Sequence, residues 1–212
     1  MRQIPTWPTS RRHPAHGRWP PGGDGGSRGN QCPDYNTGVY RVGEPITPEG
    51  LDLRFVVNTV APYAPTKGLL PAFDRTARVV NLSSAAQAPY DLAALRGERH
   101  LDTHEAYAQS KLAITAWTME LARAHPDGPS FCTLNPGSLL ATAMTNEGFG
   151  VSGNDVGIGV DGLVWVCLSP EFDDKSGAYF DNDAGMFSDP HPFAASAEHG
   201  AALMAHLDQM VR

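Results

Sequence analysis

The sequence predicts a layered α/β fold built on a parallel sheet. Three observations point there. Short β-branched apolar runs alternate with longer stretches of helical periodicity. Each run ends in small polar or Pro-Gly residues, as strand ends do where they face a crevice. The segments between runs can hold crossover helices, as parallel pairing requires.

Taken in order, Thr47-Pro48-Glu49 reads as a helix start with proline in the first turn. That helix would run through Leu51, Leu53, Phe55, Val56 and Val60, and Pro62 and Pro65 would kink or end it. Ala77 to Ser83 reads as a strand ending in serines. Glu105 to Ala124 is a strong helix, with Tyr107, Lys111, Ile114, Thr118 and Leu121 on one face. Pro126 and Gly128 stop it. Ser130 to Leu134 is the next strand, Val156 to Leu168 a buried helix, Gly177 to Phe180 a last short strand, and Ala194 to Val211 a terminal helix.

The 212 residues suit one domain, and 41% hydrophobic with 18% charged residues suits a globular chain. No run reaches the roughly 18 apolar residues that cross a bilayer, and the N-terminus has no apolar signal core. Residues 1–30 carry five arginines and one acid, net +4, while the rest is net −11. So acidic a body is a poor match for nucleic acid. The leader also holds five prolines and six glycines, so 1–35 reads as a disordered Pro/Gly/Arg-rich segment ahead of a domain at 36–212. Cys32, Cys132 and Cys167 are few, odd in number and widely spaced, which predicts free thiols and a cytoplasmic setting.

Tyr107 and Lys111 stand four apart, hence one helical turn apart on one face. A free tyrosine, with pKa near ~10, is only about 0.1% ionised at pH 7. A neighbouring ammonium favours phenolate, so the pair could exchange a proton with an alcohol or carbonyl. Such pairs are also ordinary helix-surface features. Ser83 and Ser84 end a buried strand, where a hydroxyl could stabilise charge on a substrate oxygen or merely cap a turn. Asn135-Pro136-Gly137-Ser138 forms a turn at the same sheet edge.

Three segments in order carry a family resemblance: Arg78–Ala86 with its Ser83-Ser84 pair, Glu105–Ala113 with Tyr107-Ala108-Gln109-Ser110-Lys111, and Asn135-Pro136-Gly137. They resemble the short-chain dehydrogenase/reductase family, and Gly50–Asn58 is similar to the helix bearing that family's fourth catalytic residue. The long Ser84-to-Tyr107 interval resembles the branch with retinol-dehydrogenase-like and WW-domain-oxidoreductase-like members. The resemblance spans roughly residues 36 to 184. It implies a Rossmann-like parallel sheet with flanking helices and NAD(P)-dependent interconversion of an alcohol and a carbonyl.

By matching position, it implies that Tyr107 is the acid/base and that Lys111 lowers its pKa and holds the nicotinamide ribose. Ser84 would polarise the substrate carbonyl, and Asn58 would maintain a water-linked proton relay. Pro136 and Gly137 would pass beside the nicotinamide, and Thr142 would bind its carboxamide. Met144 to Gly153 would be a mobile lid suited to an apolar substrate.

One departure stands out. The family's glycine-rich cofactor loop has no counterpart except Gly22 to Gly29, where Arg28 occupies the last glycine position and no apolar strand precedes. Asn36-Thr37-Gly38 resembles the end of a family signature, so the first strands would be missing or replaced. The alternative expectation is therefore an impaired remnant with weak or absent NAD or NADP binding. It would act at most as an interaction module, dimerising through the Glu105–Ala124 helix. Otherwise the expected partner is a small apolar alcohol or carbonyl, with no nucleic acid and no membrane. His100, His104 and Glu105 lack an evident third metal ligand, and Asp181 to Gly185 reads as a polar turn.

Overall fold

The computed structural model describes residues 32, 34–35, 37–142, 144 and 152–212. The expected leader lies outside the described residues except for Cys32, Asp34 and Tyr35. Also outside them are the glycine stretch 22–29, Asn36, Ala143 and the lid segment 145–151.

Five strands form one sheet in sequence order: β1 (Asp34–Tyr35), β2 (Arg78–Leu82), β3 (Ser130–Asn135), β4 (Tyr179–Asp181) and β5 (Met186–Ser188). Strands β1 to β4 pair in parallel, with Val80 opposite Asp34 and Cys132, and Leu134 opposite Phe180. β5 returns antiparallel to β4, which the sequence reading did not anticipate. Its three residues are too few to show a period. Alternation along β2 and β3 sends Val79 and Phe131 into one core and Val80, Leu82, Cys132 and Leu134 into the other. The sheet is thus covered on both faces, as parallel sheets are.

One face carries a helical segment that differs from expectation at both ends. Thr47 closes a turn instead of starting a helix: its N–H donates to the Leu51 carbonyl at 2.8 Å and its hydroxyl accepts from Leu51 N–H at 3.2 Å. The helix starts at α1 (Leu53–Phe55), where the Asp52 carboxylate accepts from Arg54 N–H at 2.8 Å and also pairs with the Arg54 guanidinium. A π turn (Val56–Val60) leads into α2 (Ala61–Leu69), which runs through Pro62 and Pro65. Pro62 sits in the first turn of α2, where a missing N–H costs little. Tyr63, fully buried edge-on against Trp117 at 5.4 Å, anchors the segment, so packing outweighs the single bond lost at Pro65.

α3 (Leu92–Leu95) is a single turn. α4 (Thr103–Ala124) is capped by Asp102, whose carboxylate accepts from Glu105 N–H at 2.8 Å. α5 (Val156–Leu168) has the expected bounds and packs on β2 and β3 from the opposite face. The expected terminal helix is divided at Ser196 into α6 (Pro192–Ala195) and α7 (Ala197–Met210), because the Ser196 side chain caps α7. Both pack on α4, which is buried almost throughout from Ala106 to Leu121. α4 thus packs against this chain's own C-terminal helices.

Cys32 is disulfide-bonded to Cys167 of α5, and Cys132 is buried and free. The expectation of three free thiols is corrected: spacing of 135 residues hides a pair that the fold places 5.9 Å apart between Cα atoms. Among the described residues no helix is long and apolar enough to cross a membrane.

Candidate active site

The carboxyl ends of β2 and β3 open into a cleft of about 760 Å³. Its walls include Ser84, Tyr107, Lys111, Pro136, Gly137 and Thr142, so six of the seven residues singled out from sequence converge there. The position, at strand carboxyl ends of a parallel sheet, is where such folds hold ligands.

Ser83 and Ser84 follow β2 with different fates. The Ser83 hydroxyl is buried, donating to the Lys111 carbonyl at 3.0 Å and bonded to Thr115 Oγ1 at 2.8 Å. It ties β2 to α4. Ser84 is half-buried and lines the cleft together with Tyr107, and its hydroxyl accepts from Ala86 N–H at 3.2 Å. Its carbonyl accepts from Tyr179 Oη at 3.2 Å and from Gln87 Nε2 at 2.9 Å, which holds the residue in place.

Tyr107 lies on the second turn of α4, with the Tyr40 ring edge-on at 5.1 Å and 85°. Lys111, one turn on, is buried and donates to the Leu82 carbonyl at 2.8 Å. Its ammonium nitrogen stands 5.9 Å from the centre of the Tyr107 ring. Burial brings the Lys111 pKa down to about 8. Burial also raises the Tyr107 pKa above its ordinary value, opposed by the neighbouring Ser84 hydroxyl and reinforced by Tyr40. In this geometry burial outweighs any lowering of the phenol's pKa by its neighbours. Desolvation dominates at both groups, because burial in the wall of the cleft penalises the charged form of each.

Asn58 does not line the cleft. It sits behind the wall formed by Gly38, fully buried in the π turn, and its amide nitrogen donates to Ser110 Oγ at 2.9 Å. Thr142 is exposed at the cleft rim, and its N–H donates to the Leu140 carbonyl at 2.6 Å. Gly137 has φ +120°, a conformation that favours glycine, so the turn after β3 needs it. Among the described residues no three His, Cys, Asp or Glu side chains are grouped to hold a metal.

Sequence reasoning missed Tyr40, Gly38 and His104 as lining residues. His104 stands three before Tyr107, hence on its face, and that spacing was a usable signal. Nothing local marked Tyr40.

The donor set suits the nicotinamide-ribose end of a dinucleotide. Lys111 keeps N–H groups beyond the one given to Leu82, and the Pro136-Gly137 backbone can be approached closely because Gly137 has no side chain.

No family model matches the chain. It is 30% identical over 168 residues to retinol dehydrogenase 13 of mouse and of human, a match covering 69% of this chain and 50% of each relative. The chain belongs to the short-chain dehydrogenase/reductase family. The curated relatives agree with the retinol-dehydrogenase-like branch expected from the Ser84-to-Tyr107 interval. The chain spans about half the length of those relatives.

Solved structures agree in fold. An uncharacterised protein from Mycobacterium paratuberculosis superposes with TM-score 0.64 at 23% identity, over 85% of this chain and 66% of that one. The short-chain dehydrogenase from Shigella flexneri gives TM-score 0.54 at 20% identity, over 76% and 61%. The landomycin C-6 ketoreductase, whose structure holds NADP and rabelomycin, gives 0.52 at 23%, over 73% and 60%. The family's Rossmann-like sheet is therefore the fold of this member, with β1 its outermost described strand.

Proposed function

We propose that the cleft is the nicotinamide and substrate site of an NAD(P)-dependent oxidoreductase that interconverts an alcohol and a carbonyl. The observation that carries this reading is the convergence of Ser84, Tyr107 and Lys111 on the lining of one cleft at the strand carboxyl ends.

A substrate oxygen set against Ser84 and Tyr107 would accept hydrogen bonds from both hydroxyls. The nicotinamide supplies the hydride in reduction and takes it in oxidation. As charge develops on that oxygen in reduction, Tyr107 gives up its phenolic proton to it and Ser84 stabilises what remains. In oxidation Tyr107 takes the proton back. A raised pKa in the unliganded cleft keeps the phenol protonated, as the reductive direction requires. Lys111 would hold the nicotinamide ribose with the N–H groups not given to Leu82, while Pro136, Gly137 and Thr142 would border the ring. Asn58 acts from behind, by fixing Val39 and Ser110. Ala85, Leu139, Leu140, Met144 and Val160 make the cleft apolar, which suits an apolar alcohol or aldehyde.

A second reading is supported by the sequence: without a matching glycine-rich loop, cofactor affinity is low and the site is kept but impaired. Fluorescence titration with NADPH and NADH separates the two, since micromolar binding supports the enzyme and none supports the remnant. The enzymatic reading is tested by following NAD(P)H oxidation with retinal and other apolar aldehydes. Turnover that Tyr107→Phe leaves unchanged would overturn it.

A further inference from the structure

We propose that Asp183 is a positioning residue: its carboxylate holds the Asn135–Ser138 turn in the shape that walls the cleft. The inference rests on the reading of that turn as the nicotinamide border.

Three successive residues at the end of β4 grip the turn along its length, two of them sharing Asn135. Asp181 Oδ1 accepts from Asn135 Nδ2 at 2.9 Å and from Asp183 N–H at 3.1 Å. Asn182 Nδ2 donates to the Pro136 carbonyl at 2.8 Å and to the Ile158 carbonyl in the first turn of α5 at 3.0 Å. Asp183 accepts from Ser138 N–H at 2.8 Å, from Ser138 Oγ at 2.6 Å and from Asn135 Nδ2 at 2.9 Å. Every group facing the Asp183 carboxylate in these bonds is a donor.

The turn needs such outside ties. Pro136 has no N–H, and Gly137, at φ +120°, has no side chain to restrain its backbone. Its one internal bond, Gly137 N–H to Asn135 Oδ1, is long at 3.3 Å. A carboxylate offers only acceptors, so it matches three converging donors where an amide would oppose one of them with its own NH₂. Hydrogen bonds to an ionised acceptor are also the stronger kind. α5 approaches the same turn closely at Gly159, where a Cβ would stand 3.3 Å from the Pro136 carbonyl oxygen. The turn is therefore held from the β4 side and abutted by the helix, and Asp183 is its only carboxylate contact at Ser138 among the described residues.

The test is Asp183→Asn in the full chain, with Ser138→Ala as a second, milder variant. Two readouts are taken. The first is the amide signal of Ser138 in ¹H–¹⁵N spectra and its hydrogen-exchange rate, neither of which needs a cofactor. The second is NADPH affinity, with the cofactor KM and kcat measured separately. Asp183→Asn is expected to shift the Ser138 amide upfield and speed its exchange. It should weaken NADPH binding about tenfold, with kcat changed less than threefold. Ser138→Ala should move affinity the same way by less. An unshifted Ser138 amide in a folded Asp183→Asn chain overturns the proposal. Absence of NADPH binding in the unmodified chain, with the amide response intact, instead sinks the cofactor reading and leaves the clamp standing.

Discussion

Asn58 holds the Val39 peptide by both of its polar groups. Val39 N–H donates to Asn58 Oδ1 at 2.8 Å, and Asn58 Nδ2 donates back to the Val39 carbonyl at 3.0 Å. The same NH₂ reaches Ser110 on α4 at 2.9 Å. One buried carboxamide thus joins the chain after β1, the π turn and the Tyr107 helix. Gly38 is pinned beside it, with room for a Cβ only 3.5 Å from the Lys111 nitrogen.

Asn58→Ala should therefore cost about 1–3 kcal/mol, because it removes the partner of the half-buried Val39 N–H and carbonyl and one of two bonds at the Ser110 hydroxyl, which still donates to the Tyr107 carbonyl. Urea denaturation followed by tryptophan fluorescence measures the loss. An unchanged midpoint would show that the clamp is not needed for folding.

Tyr107→Phe should lower kcat/KM with an apolar carbonyl substrate by at least about a hundredfold, while thermal stability changes by no more than about 1 kcal/mol. Phenol absorbance adds a second check. Because burial raises its pKa, Tyr107 should be less than half ionised at pH 10 in the unliganded chain. A phenolate appearing below pH 9 and absent from the variant would contradict the geometry.

Lys111→Met should stabilise the chain at pH 7 by about 2 kcal/mol, after allowing for the lost bond to Leu82. The sign follows from linkage. Burial takes the folded-state pKa from 10.5 to about 8, so between those values the unfolded chain binds a proton that the folded chain has released. Stability of the unmodified chain then rises with pH from about 8 to 10.5, and the full penalty applies below. The variant's advantage should fade over that window and NADPH binding should be lost at every pH. A constant advantage across pH 7 to 10.5 would refute this.

Gly162→Ala places a Cβ 2.9 Å from Asn182 Nδ2 and 3.0 Å from its Cγ, so the amide must leave Pro136 and Ile158. Helix propensity alone favours alanine by about 1 kcal/mol. The clash should reverse that to a net loss of about 1 kcal/mol. Gly68→Ala in α2, with nothing within 4 Å of its Cβ, serves as the control and should gain about 0.5–1 kcal/mol. Equal effects at the two sites, by calorimetry, would mean that Asn182 yields freely.

Reduction of Cys32–Cys167 releases a loop closed over 135 residues and should lower stability by about 2–5 kcal/mol. Non-reducing peptide mapping checks the pairing itself, and two alkylated cysteines at those positions would refute it.

By itself the sequence determined the local and periodic features. β2, β3, α4 and α5 lie within a residue or two of their expected bounds. The i,i+4 spacing put Tyr107 and Lys111 on one side of a helix, and the strand-end serines and the Pro-Gly turn put Ser84 and Gly137 at the same rim. Such features depend on backbone period and on residues a turn apart, so the chain's own order reveals them. Only the tertiary structure decided the rest. It carried α2 through two prolines by burying Tyr63 on Trp117. It covered α4 with α6 and α7, paired Cys32 with Cys167, raised the Tyr107 pKa where a neighbour's charge was expected to lower it, and set Asp183 on a turn 45 residues away. Desolvation and hydrogen bonding between distant segments depend on which surfaces meet, and no local pattern encodes that meeting.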